Sequence, residues 1–135
     1  MEIVTQLKKQ LTSFEDACKI LGLDAEKVVP DFSNYPEADK KAMIAHAKLV
    51  IIAKAANQLA NDGKEHKPDW NDGKLNKYYP WFYMGGSLGF RYYGCADWDS
   101  FSDVGSRLCL KSSELAEYAG KQFTDLYQKF MITNN

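Results

Sequence analysis

Residues 78–110, YYPWFYMGGSLGFRYYGCADWDSFSDVGSRLCL, are the stretch that decides the fold. They hold ten of the eighteen aromatic residues, and aromatic side chains favour pleated strands. Gly85 and Gly86 suit a tight hairpin, because glycine reaches positive φ without steric cost. Pro80 has no N–H to donate, which places the first strand at a sheet edge. The pattern predicts a three-stranded antiparallel meander, with strands at about 78–84, 88–94 and 104–110.

The N-terminal part of the chain, residues 1–62, carries helical patterns. Ser13 can cap a short helix that ends at Gly22. A second short turn begins at Asp24, so the pair predicts a helix-turn-helix or a packing hairpin. We favour the hairpin, because the second turn is too short and too acidic to read a major groove. Residues 36–62 are alanine-rich and predict a long central core helix, with a buried face formed by Leu49, Ile52, Ala56 and Leu59.

The remaining segments complete a single domain over residues 1–135. Residues 63–77 form a charged linker, and residues 112–130 form a final helix capped by Ser112. Gly120 inside that helix costs about 1 kcal/mol against alanine, which predicts a close approach of another backbone. The sequence therefore predicts an α+β fold: N-terminal helices with a long central helix packed on the three-stranded sheet, closed by the C-terminal helix.

Composition and motifs exclude several classes of function. The 17 basic and 18 acidic side chains leave a net charge of −1, so no global field attracts duplex nucleic acid. Phosphate-binding loops, dinucleotide fingerprints and nucleophile elbows are absent from the sequence, so we expect no enzyme, no catalytic residue and no cofactor. No apolar run reaches the ~18 residues of a membrane span, and the N-terminus lacks leader features. We expect a cytoplasmic protein without membrane contact.

Residues that bind metals or act as nucleophiles are scattered along the chain. Cys18, Cys95 and Cys109 are too far apart for a metal knuckle, which indicates free thiols in a reducing compartment. His46 has no histidine, cysteine or carboxylate one helical turn away. The acidic loop 97–103 lacks the glycine and the closing glutamate of a calcium loop, so we favour an ordinary turn and expect no metal.

Both faces of the predicted sheet are aromatic, whereas one layer of helices covers only one face well. Exposed Trp and Tyr rings anchor protein interfaces and also stack unpaired bases, while arginines contact phosphates. The candidate partner-binding residues are Trp81, Tyr83, Phe90, Arg91, Tyr92, Trp98 and Arg107. The alternative is that the outer rings pack on one another and on the loop of residues 95–104.

Three segments resemble a known group of sequences. KYYPWF, GFRYY and VGSRLC…AEYAGKQF…LY are similar to the C-terminal half of a family of small uncharacterised proteins of tailed phages, prophages and gut anaerobic bacteria. The resemblance covers about residues 66–130. It implies a phage or mobile-element setting, and it implies no activity and no ligand-binding residue.

These observations favour a non-enzymatic interaction protein of phage or mobile-element origin. Its partner would be another protein, or a second copy added to the sheet edge, bound through the aromatic face. The alternative is a single-stranded nucleic-acid-binding protein that stacks bases on the same rings. A small hydrolase is the weakest hypothesis. The near-zero net charge places the protein partner first.

Overall fold

The computed structural model describes residues 2–133, apart from the side chain of Trp98. Its fold is α+β, with five helices and an antiparallel pair of strands in the described chain. The helices are α1 (Glu2–Gln10), α2 (Phe14–Leu21), α3 (Lys40–Ala60), α4 (Ser113–Gln122) and α5 (Thr124–Met131). The strands are β1 (Lys77–Tyr83) and β2 (Arg91–Trp98), and short 3-10 turns lie at Glu37–Asp39 and Ser106–Leu108.

The first two helices form as their local signals predict. The Ser13 hydroxyl accepts a hydrogen bond from the Asp16 N–H at 3.1 Å, and Gly22 ends α2 with a φ of 70°. α1 is held from the other end of the chain, because the Tyr118 hydroxyl lies 3.2 Å from the Leu7 carbonyl and 2.8 Å from that of Leu11. After α2 the chain makes turns at residues 25–29 and no second helix, so the helix-turn-helix alternative is wrong.

The long helix α3 is the centre of the helical layer. Leu49, Ile52 and Ala56 are buried as predicted, whereas Leu59 is only half-buried. α3 packs against α1, α2, α4 and α5. The helix that covers the sheet is α4 rather than α3, because Gly120 of α4 lies directly against Pro80 and Tyr92.

The predicted C-terminal helix is divided in two at Phe123. This residue leaves helical geometry with φ −113° and ψ 29°, and its buried ring packs in the core. The Thr124 hydroxyl hydrogen-bonds the carbonyls of Gly120 at 2.6 Å and Lys121 at 3.0 Å. A threonine that bonds backward to the preceding turn bends a helix, which accounts for the break.

The predicted third strand at residues 104–110 is absent. A 3-10 turn occupies Ser106–Leu108, and only a single bridge joins Tyr78 to Leu110, with N···O distances of 3.0 and 2.7 Å. Gly105, with a φ of 74°, and this turn take the chain out of extended geometry before Leu110. The buried Asn57 amide of α3 holds the other side of the segment: it donates to the Cys109 carbonyl at 2.9 Å and accepts from the Lys111 N–H at 2.7 Å. A side chain thus satisfies the backbone groups that face away from β1.

The second strand begins and ends later than predicted, since the hairpin loop spans residues 84–90 rather than two glycines. Gly86 and Gly89 take positive φ of 99° and 74° within this loop.

The ladder also contains a bulge: Trp81 pairs with Gly94 and Phe82 with Tyr92, which leaves Tyr93 as an extra residue. On β2, odd-numbered residues face outward before the bulge and even-numbered residues face outward after it.

Candidate functional site

Four side chains on the outer face of the hairpin form a continuous surface, which we call the aromatic patch: Trp81, Tyr83, Arg91 and Tyr93. Tyr93 is at its centre, with its ring centroid 5.7 Å from that of Trp81 and 4.8 Å from that of Tyr83, both edge-to-face. The rings remain 55% (Trp81), 42% (Tyr83) and 57% (Tyr93) exposed. The outer rings thus pack on one another, as the alternative interpretation proposed, and still present a wide aromatic surface.

Arg91 is the cation of this patch. Its guanidinium lies over the Tyr83 ring at 3.9 Å from the centroid, and its Nη1 donates to the Gly89 carbonyl at 3.1 Å. Tyr83 and Arg91 are directly paired across the ladder, which places both side chains on the same face. Two fixed contacts hold the guanidinium plane against the ring, so the surface is ordered before any partner arrives.

The loop at the end of the hairpin extends the apolar surface. Met84 follows Tyr83 directly and is 52% exposed, and Leu88 of the same loop is 75% exposed. Large apolar side chains grouped at one end of a molecule are typical of an interaction surface, whereas single exposed ones are ordinary.

The opposite end of the outer face is covered by other parts of the chain. The Lys77 ammonium donates to the carbonyls of Asp72 at 2.9 Å and Asp99 at 2.5 Å, and it lies 5.2 Å from the centroid of the Trp70 ring. Lys77 and Tyr79 are consequently buried. The linker and the loop after β2 close over this half of the face, which confines the exposed surface to the aromatic patch.

Phe90 and Tyr92, two predicted site residues, lie on the inner face. Phe90 stacks on the buried Phe82 at 4.8 Å between ring centroids, and Tyr92 meets Phe82 edge-on at 6.2 Å. Burial, with Cys95 and Glu117 nearby, raises the pKa of Tyr92 to about 12. Lys121 of α4 covers the Tyr92 ring at 5.5 Å. These two residues support the patch from below rather than forming part of its surface.

Arg107 and Trp98 are not brought into the patch. Arg107 lies on the Ser106–Leu108 turn and lines a groove beside α3 and the linker. The backbone of Trp98 ends β2 opposite Lys77, and its side chain falls outside the described atoms. Of the seven predicted site residues, the structure therefore unites Trp81, Tyr83 and Arg91.

Tyr93 is the patch residue that sequence reasoning missed. Alternation along the strand places Tyr93 on the same face as Arg91 and opposite Phe90 and Tyr92, and the structure agrees. The sequence alone does not show which of the two faces stays exposed, and the candidate set therefore contains Phe90 and Tyr92 but not Tyr93. The signal that identifies the patch is the neighbour relation of Arg91 and Tyr93 on one face, combined with the exclusion of the Phe82 side by the glycine of α4.

Metal-binding and titratable groups do not add to this site. Among residues 2–133, excluding the Trp98 side chain, no three His, Cys, Asp or Glu side chains cluster in a way that could hold a metal ion. His46 packs on the Phe130 ring with centroids 4.6 Å apart. Burial, and secondarily the charge of Lys111, lowers the pKa of His66.

None of the helices in the described chain is long and apolar enough to cross a membrane. Comparison with known proteins finds no matching family model, no similar curated protein and no similar solved structure.

Proposed function

We propose that this protein is a non-enzymatic interaction protein that binds a protein partner through the aromatic patch. The observation that carries the proposal is the cluster of three exposed rings, Trp81, Tyr83 and Tyr93, with Arg91 fixed over Tyr83. Trp, Tyr and Arg are the residues that most often dominate binding energy at protein interfaces. Rings that are already locked together lose little conformational freedom on binding, which favours affinity.

The edge of β2 adds a second element to this surface, whereas the first strand, predicted to be the exposed edge, carries a bridge from Tyr78 to Leu110 on its other side. Within residues 2–133, β2 pairs only with β1, and no backbone hydrogen bond links its other edge to another segment. An unpaired edge can accept a strand from a partner, including a second copy of the chain. The bulge at Tyr93 limits how many residues such a strand can pair in regular register. The partner's strand would lie beside the patch rather than across it.

Charge separates this proposal from binding of single-stranded nucleic acid. A protein that binds the sugar-phosphate backbone neutralises several phosphates with Lys and Arg. The patch holds one cation, Arg91, and its guanidinium already contacts Tyr83 and the Gly89 carbonyl. The exposed rings and the stacked Arg91 would also suit unpaired bases, so we keep that function as the second candidate. The resemblance to phage proteins adds a proposed setting for either function.

Two measurements on the purified protein test the proposal. Sedimentation equilibrium should show a dimer if the partner is a second copy, and Trp81→Ala or Tyr93→Ala should weaken it by about 1–3 kcal/mol, the usual effect of losing an interface anchor. Phe101→Ser is the matched control, because Phe101 is 76% exposed and belongs to a different loop. If the wild type is a monomer, selection from a displayed peptide library should yield peptides that bind it and not Tyr93→Ala.

Titration of tryptophan fluorescence with mixed-sequence oligonucleotides at low salt tests the second candidate. Saturable quenching that weakens with added salt and is lost in Arg91→Gln would show that the aromatic patch binds nucleic acid rather than a protein partner. A monomer that selects no peptide dependent on Tyr93 and binds no oligonucleotide would contradict both functions.

A further inference from the structure

A groove beside α3 shares no lining residue with the aromatic patch. It has a volume of about 520 Å³, within the ~300–1,000 Å³ range of small-molecule sites. Its walls come from three segments that are far apart in sequence: α3, the linker of residues 65–68, and the turn at Ser106 and Arg107. We call it the basic groove.

The walls of the basic groove are fixed to one another. The Asn57 amide joins α3 to the backbone at Cys109 and Lys111, immediately after the Arg107 turn. The Trp70 indole N–H donates to the Ser106 hydroxyl at 2.5 Å. This bond joins the linker to the same turn, two residues beyond Pro68 of the groove wall. These contacts preform the groove, so a ligand would not have to order its walls.

The lining combines an apolar floor with a positive rim. Val50, Ile51 and Pro68 supply the apolar side chains, and Lys54, Lys67 and Arg107 supply three cations. Among the described residues, Glu65 is the only carboxylate in the lining, and its nearest oxygen lies 3.9 Å from the Lys54 ammonium. Within the described residues, neither Lys67 nor Arg107 has a salt-bridge partner. Two cations are therefore free to meet a ligand, beside a surface that favours an apolar body.

We propose that the basic groove binds a small organic anion, namely a carboxylate or phosphate monoester carried on an aromatic or aliphatic body. The anionic group would lie against Arg107 and Lys67, since the planar guanidinium fork matches carboxylate and phosphate geometry. The body would cover Val50 and Ile51, which are half-exposed in the free protein. This site is independent of the aromatic patch and of the partner proposed for it.

His66 supplies an internal reporter of charge in the groove. Its pKa is lowered first by burial and then by the positive charge of Lys111, because both disfavour the protonated ring. An anion bound against the rim would favour the protonated ring and raise this pKa. A neutral ligand in the same place would increase burial without adding charge, and would lower the pKa further.

Calorimetric titration with 2-naphthoate, 2-naphthyl phosphate and the neutral 2-naphthylmethanol tests the proposal. Both anions should bind saturably, the tighter one identifying the preferred head group, and the neutral alcohol should bind at least about tenfold more weakly. Arg107→Gln should weaken anion binding by about tenfold, and Arg107→Lys by less, because it keeps the charge and loses the fork. Trp81→Ala is the control and should leave the affinity unchanged, since Trp81 belongs to the aromatic patch.

NMR titration of the two histidines provides the second readout. Saturating 2-naphthoate should raise the pKa of His66 in the wild type and not in Arg107→Gln, while the His46 resonances stay in place. Equal binding of the neutral alcohol, unchanged affinity in Arg107→Gln, or no saturable binding of either anion in the millimolar range would each overturn the proposal. Loss of binding in Trp81→Ala would also overturn it, because the anions would then occupy the patch.

Discussion

Gly120 of α4 lies against the ring of Tyr92: a Cβ placed on Gly120 would come within 2.6 Å of Tyr92 Cδ1. The same atom would lie 2.7 Å from the Pro80 Cβ. Sequence reasoning predicted that another backbone passes close to this glycine. What approaches is a proline and an aromatic ring on the inner face of the hairpin. Only glycine allows α4 to approach the sheet at this distance.

Gly120→Ala should therefore destabilise the protein, although alanine normally stabilises a helix interior by about 1 kcal/mol relative to glycine. Overpacking of a filled site costs about 1–3 kcal/mol, which exceeds or cancels that gain. Denaturant unfolding of the variant gives the net effect. The double variant Gly120→Ala/Tyr92→Leu should recover part of the stability relative to the sum of the two single changes, because the clash with the ring is gone while that with Pro80 remains. A stabilised single variant would show that the helix can move away from the sheet at no cost.

Ile52→Ala should lower the free energy of unfolding by about 2–5 kcal/mol, since Ile52 is 1% exposed at the centre of α3. Its neighbour Ile51 provides the matched control. Ile51 is half-exposed in the basic groove, so Ile51→Ala should cost clearly less. Urea melts of the two variants make the comparison, and equal losses would argue against the orientation of α3.

Asn57→Ala should destabilise the protein because it removes two hydrogen bonds, rather than because it removes apolar contacts. The change leaves the Cys109 carbonyl and the Lys111 N–H without their partner. Each buried group left unsatisfied costs about 1–3 kcal/mol. Gln58→Ala, one residue further along α3 and half-exposed, is the control. Amide hydrogen exchange should show faster exchange at Lys111 in Asn57→Ala, and unchanged protection there would mean that the amide is not the partner.

The three thiols should react at different rates with a disulfide reagent. Cys95 is exposed, whereas Cys18 and Cys109 are each 1% exposed, so one thiol per chain should be labelled in the native state. Burial, with Glu117 and Asp97 nearby, raises the pKa of Cys95. The thiolate is the reactive form, so at neutral pH labelling should be slow and its rate should rise about tenfold per pH unit below the pKa. Cys95→Ser should abolish native labelling. Rapid labelling in that variant would place Cys18 or Cys109 at the surface.

The local features of the fold could be predicted from the sequence because their causes are local. A serine cap bonds an N–H three residues away, as Ser13 and Ser112 do here, and a C-terminal glycine acts on its own helix. The apolar face of α3 depends on spacing alone. The α+β class follows from these elements together with the aromatic strands.

The features that could not be predicted depend on distant partners. In place of a third strand, the segment turns at Ser106–Leu108 and is fixed to α3 by the Asn57 amide, more than fifty residues away, which bonds the backbone at Cys109 and Lys111. The sheet-covering role belongs to α4 because a glycine permits close packing there, and alternation along the strands does not reveal which face a helix will cover. Hence the sequence puts Trp81, Tyr83 and Arg91 in one set of candidates with Phe90 and Tyr92, whereas in the structure Phe90 and Tyr92 lie on the inner face.

Because of the bulge in β2, the aromatic patch can change in evolution while the strand pairing of the hairpin stays the same. Tyr93 is the residue that the ladder does not pair, so its loss would join Tyr92 to Gly94 in regular register opposite Phe82 and Trp81. Deletion of a paired residue away from the bulge would instead shift the register and move the following side chains of the strand to the opposite face. Insertion or deletion of the single codon for residue 93 would thus leave the pairing of the hairpin intact. The same event would add or remove the ring that connects Trp81 to Tyr83.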